Sequence, residues 1–125
     1  MTNDRDPTEG TTIIDLPRGA SQLVTADYSL ALNTGELLNS VTTSPAQSSQ
    51  PTAGTGETTT LTIGSGAINT GGAVTVDQVS KSIKTVCQFR VTVPSNATRG
   101  TYKVSLACDT TDSNTKPHTV VLRIW

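Results

Sequence analysis

The chain is 125 residues long and 34% hydrophobic, but holds only one Trp, one Phe and two Tyr. That suits one core built from Val, Ile, Leu and Ala and leaves little aromatic mass for stacking on bases or sugars. A formal net charge of −1, with the basic residues scattered, lacks the electrostatic footprint of a nucleic-acid binder.

Residues 1–10 form a polar, charged segment with no apolar h-region. They read as a flexible N-terminal arm rather than a signal peptide, and they need a partner to become ordered. No later run approaches the roughly 20 apolar residues that a membrane-spanning helix needs, so a soluble chain is expected. Pro7, Pro17, Pro45 and Pro51 interrupt the N-terminal half, and Thr, Ser, Val and Ile favour pleated strands over helices.

In chain order, residues 11–16 are a first strand. Residues 26–32 are expected to be a second, because Tyr28, Leu30 and Leu32 alternate with Asp27, Ser29 and Ala31. Asn33, Thr34 and Gly35 supply a turn. Residues 36–41 read as a short strand whose buried face is blurred by the adjacent Leu37 and Leu38. From 42 to 59 the composition shifts to Thr, Ser, Pro, Gln and Gly with one charge, Glu57, which predicts a long exposed loop. Leu61 and Ile63 mark another strand, broken by Gly64, Ser65 and Gly66. Asn69 to Gly72 then offers a tight turn before Val74 and Val76, the pattern of a hairpin.

The last third carries the clearest periodicity. Ile83, Cys87, Phe89, Val91 and Val93 fall on one face of a strand that ends at Pro94. Tyr102, Val104, Leu106 and Cys108 repeat the pattern, as do Val120, Leu122 and Ile124. The fold class that follows is all-β, an immunoglobulin-like β-sandwich of about seven or eight antiparallel strands, with residues 11–125 as one domain.

Reactive side chains are few. Cys87 and Cys108 fall on inward faces of consecutive strands. They lie opposite each other if those strands form a hairpin around Ala97, and across the sandwich if the topology is immunoglobulin-like. Their reading is packing as buried thiols, with a disulfide left open. A hairpin between the last two strands brings His118 near Cys108, but no CxxC or HxxxH spacing supports a zinc site. One His among many Ser, with no GxSxG elbow, argues against a hydrolase. The glycine pairs lack the strand, loop, helix and lysine of a phosphate cradle. No catalytic, cofactor-binding or metal-ligating residue is assigned, and no enzyme is expected. Asn96, Ala97 and Thr98 match a glycosylation sequon to which no function is given.

The stretch Asp27 to Leu32, the stretch Gly35 to Ser40, the run Gly100 to Val104 and the closing Val120 to Ile124 together resemble small immunoglobulin-like structural proteins of tailed bacteriophages. Among these the pattern is similar to the fiber-tail adaptor proteins. They typically show an Asp-Tyr strand, a Gly-Asp turn, a Gly-Thr-Tyr strand and a closing apolar-basic strand. Here Gly35-Glu36 stands for the Gly-Asp, and the tryptophans common in the family's first half are missing. The resemblance implies a virion protein present in several symmetric copies, whose partners are tail, baseplate, fiber or capsid proteins. A capsid-decorating cement protein and a carbohydrate-binding module are the alternative expectations.

Overall fold

The computed structural model describes residues 11–76 and 78–125. The expected N-terminal arm lies outside the described residues. Among the described residues there are ten strands: β1 (Thr11–Leu16), β2 (Ser21–Asp27), β3 (Leu38–Ser49), β4 (Thr62–Ile63), β5 (Ala67–Ile68), β6 (Val74–Val76), β7 (Val79–Lys81), β8 (Val86–Thr92), β9 (Gly100–Thr110) and β10 (Thr115–Ile124). No helix occurs among the described residues.

Two sheets form the sandwich. The first has the order β1-β10-β9-β3; the second has β2-β8-β4, with β5 also pairing β8. A separate β6-β7 hairpin completes the set. The expected two-residue period is what drives this arrangement. On β9, Tyr102, Val104, Leu106 and Cys108 are buried; on β10, His118, Val120, Leu122 and Ile124 are. All of these except His118 meet Val24 and Ala26 of β2 and Cys87, Phe89 and Val91 of β8 in one apolar cluster. Burying a side chain of this size stabilises the fold by roughly 1.5–3 kcal/mol before the entropy of ordering it is counted.

Near the start of β9, the Tyr102 hydroxyl donates to the Thr98 carbonyl at 2.6 Å, a buried bond four residues upstream. This is the tyrosine corner of immunoglobulin-like sandwiches, and it fixes the crossover from one sheet to the other. The all-β sandwich is therefore as the sequence indicates.

Several details differ. The count is ten strands, four of them only two or three residues long. The pairing is also not wholly antiparallel, because β1 runs parallel to β10 in unbroken register from Thr11↔Thr119 to Leu16↔Ile124. The second strand lies at Ser21–Asp27 rather than 26–32. It stops because Asp27 Oδ1 accepts the Ser29 N–H and Ala31 N–H bonds to Tyr28 O, folding the chain into turns. Leu30 is left 61% exposed.

The first part of the expected loop at 42–59 is strand, and the loop begins only at 50. Backbone pairing with β9 carries β3 as far as Ser49, with several register shifts. Only Leu38 and Pro45 of β3 are buried, so β3 is an edge strand held by its ladder rather than by an apolar face. The expected hairpin joining Leu61 and Ile63 to Val74 and Val76 does not form: β4 pairs β8 while β6 pairs β7. Finally, β8 begins at Val86 because Lys84 adopts φ +61°. Ile83 is consequently 43% exposed rather than part of the inward face.

Two buried polar residues tie the ends together. Asn69 donates to the Gly72 and Ser82 carbonyls and accepts from the Thr85 and Val86 amides. Glu36 follows Gly35, whose φ of +80° is glycine's to adopt. Its carboxylate accepts from the Asn33 amide, the Thr110 hydroxyl and the Asn114 side-chain amide. Those hydrogen bonds hold the Glu36 carboxyl down at about 2, well below the ordinary carboxylate value. Glu36 is covered from solvent, and the desolvation that this brings only partly offsets the bonds.

Candidate functional site

Two places could carry function: a string of polar side chains inside the sandwich, and an open flank between the sheets. The string starts at Cys87 on β8 and crosses to Cys108 on β9. These strands belong to different sheets, so the hairpin arrangement around Ala97 is replaced by the cross-sandwich one. Both cysteines are fully buried and carry free thiols. Each sulfur is the other's hydrogen-bonding neighbour, which with burial pushes the Cys87 thiol up. Cys108 is pulled down, because the Cys87 thiol and the Tyr28 hydroxyl can both donate to its sulfur.

Tyr28 continues the string. Its hydroxyl faces the Cys108 sulfur, a poor acceptor, and has no partner of ordinary hydrogen-bond geometry. Burial first, and then the charge of a Cys108 thiolate, push Tyr28 up. Its ring lies 5.2 Å from the His118 ring, centroid to centroid. His118 Nε2 shares a 2.7 Å hydrogen bond with Thr12 Oγ1, and Nδ1 has no partner. Burial lowers His118 to about 4, against a smaller opposing pull from Asp27. Its imidazole is thus neutral at pH 7.

A hairpin of the last two strands, as the sequence allows, makes Cys108 and His118 possible neighbours. In the β9-β10 ladder, Lys116 pairs with Cys108 and His118 pairs with Leu106. Among the described residues no group of three His, Cys, Asp or Glu could hold a metal ion. The role of Tyr28 was missed, since a lone Tyr at the end of a strand carries no signal for a partner so distant in sequence. Every member of the string from Cys87 to His118 is sealed from solvent.

The open flank is different in kind. β1 ends one sheet and β2 ends the other, so each has an edge without a neighbouring strand of its sheet. Between them, closed at one end by β6, lies a cavity of about 280 Å³ lined by Thr12, Ile13, Ile14, Gln22, Leu23, Thr25, Thr75 and Val76. Leu23 is 47% exposed there. The lining mixes aliphatic groups with hydroxyls and an amide, and among the described residues it has no titratable side chain. It is suited to receive a partner's side chain or extended backbone, and poorly suited to acid-base chemistry.

No family model and no curated protein matches this chain. A solved structure of a family 123 glycoside hydrolase from Clostridium perfringens is similar over 93% of this chain, at 13% identity and a TM-score of 0.47. The chain spans 23% of that enzyme's length. The solution structure of amebosin is similar over 91% of this chain and 89% of its own, at 13% identity and a TM-score of 0.42. Likenesses this distant carry no functional argument.

Proposed function

We propose that this protein is a non-enzymatic structural module of a tailed-bacteriophage virion, an adaptor that joins fibers to the tail or baseplate in several symmetric copies. The observation that carries this reading is the open flank between β1 and β2, a cavity that among the described residues has no titratable group, beside two sheet edges. Sheet edges with a cleft beside them are what extended arms of assembly partners use for docking, since backbone pairing supplies affinity and the cleft selects a side chain. The two cysteines and the one histidine are by contrast enclosed in the core. The sequence resemblance to phage adaptor proteins supplies the particle and the partners; the sandwich supplies a rigid frame for them.

Assembly with candidate tail and fiber proteins tests the reading. Removing residues 1–10 is expected to weaken incorporation into particles while the melting temperature of the domain stays within a few degrees of wild type. Wild-type incorporation of that variant would remove the arm from the account. Tight, specific binding of a glycan by the isolated monomer would favour the carbohydrate module instead.

A further inference from the structure

We infer that Cys87 and Cys108 form a reversible inter-sheet disulfide that locks the sandwich when the protein meets an oxidising medium. The inference does not rest on the assembly reading. It stands first on placement: the two thiols lie fully buried in one core cluster, on facing strands of opposite sheets. The pair is also provided with room. Gly66 lies over Cys87 such that a Cβ there would come to 2.9 Å from the sulfur, so any larger residue would crowd it. The bridge would differ from the inter-sheet bond of antibody domains. That bond joins the second strand to the sixth in their order, whereas here the strand facing β9 through its cysteine is β8, and Ala26 of β2 stands beside Cys87 in register.

The chemistry balances with a small disulfide as oxidant. The Cys108 sulfur, giving up its proton to solvent, attacks one sulfur of the small disulfide. One small thiol leaves, and a mixed disulfide remains on Cys108. The Cys87 sulfur, giving up its proton, then displaces the second small thiol and closes the bridge. Two protein thiols are oxidised and one small disulfide is reduced to two thiols. Because both cysteines are fully buried, the oxidant must reach them either before the sheets close or when the cover over Cys87 opens. That cover is weakly built: Gly66 precedes the two-residue β5, and its nearest other neighbour is Pro45 on the bulged β3.

The test uses the full chain, incubated with hydroxyethyl disulfide and with dithiothreitol, each with and without one cycle of unfolding in denaturant. The expected oxidised product is a monomer whose two thiols no longer react with a thiol reagent. Proteolysis should yield one peptide pair joining Cys87 to Cys108, and the melting temperature should exceed that of the reduced chain by about 10 °C. In Cys87→Ala the reaction should stop at a mixed disulfide on Cys108 with no such rise. Cys87→Ser gives the same readout in denaturant should the alanine variant fold poorly. Two reactive thiols persisting after refolding in oxidant, or crosslinks only between molecules, would overturn the inference.

Discussion

The Glu36 carboxylate accepts the Thr110 hydroxyl hydrogen bond at 2.5 Å, joining residues 74 positions apart in the chain. Thr110 in turn accepts from the Asp112 and Asn114 amides, so this one contact clamps the turn between β9 and β10 to the turn that precedes β3. Glu36→Ala is expected to lower the melting temperature and to loosen that end of the sandwich first, as faster amide exchange at residues 110–114 would report. Its acid dependence follows from the lowered carboxyl. The stabilisation is full above the ordinary value of 4.5 and is lost as pH falls from there toward about 2. An unchanged acid limb in Glu36→Gln would contradict this assignment.

Tyr102→Phe removes one buried donor and leaves the Thr98 carbonyl without it. A loss of about 1–3 kcal/mol is expected in denaturant unfolding, with the fold retained. A loss below a few tenths would mean that the corner is not what fixes the crossover.

His118 adds a second acid-sensitive element, with its own sign. Its folded value of about 4 lies below the ordinary 6.5, so between these two values the unfolded chain binds the extra proton. The contribution is full above 6.5 and is lost as pH falls from 6.5 to 4, up to roughly 3 kcal/mol. His118→Leu should flatten stability against pH across that window and leave the limb below 4.5, which belongs to Glu36. Asp27, which acts on His118 across the core boundary, forms an ion pair with Lys81 at 3.2 Å. Lys81→Met is therefore expected to raise His118 and shift its limb upward in pH, measurable by NMR titration of the ring.

The strands that the sequence made legible are those whose side chains alternate against a fully buried partner. β1 falls where expected, and β9 and β10 bury the residues that their period singles out. Residues 26–32 mimic that period, but Asp27 closes a turn on Ser29, so the true β2 lies upstream, where exposed Leu23 disguises a face made by Val24 and Ala26. β3 was illegible for another reason. An edge strand rich in Thr, Ser and Gln is specified by the β9 backbone beside it, and no one-dimensional pattern records that neighbour. Long-range polar contacts were equally hidden: nothing near Glu36 announces Thr110, and nothing near Tyr28 announces Cys108. The open flank, which depends on which strands end each sheet, became visible only with the topology.

For the flank itself, Ile13→Lys and Leu23→Lys place charges in the cavity between β1 and β2 while leaving the core untouched. Both variants are expected to keep a melting temperature within a few degrees of wild type, since neither residue is fully buried, and to lose at least tenfold in affinity for the assembly partner. Leu30→Lys, at a different exposed site, should bind as wild type does. Equal binding by all three would place the interface elsewhere.

The central claim is that this chain is a building block of a virion, and quantitative mass spectrometry of purified particles tests it most directly. The account predicts peptides of this protein in the particle at a fixed copy number, in simple ratio to tail or baseplate proteins and retained through density-gradient purification. Absence from the particles, or trace amounts with no fixed ratio, would contradict it.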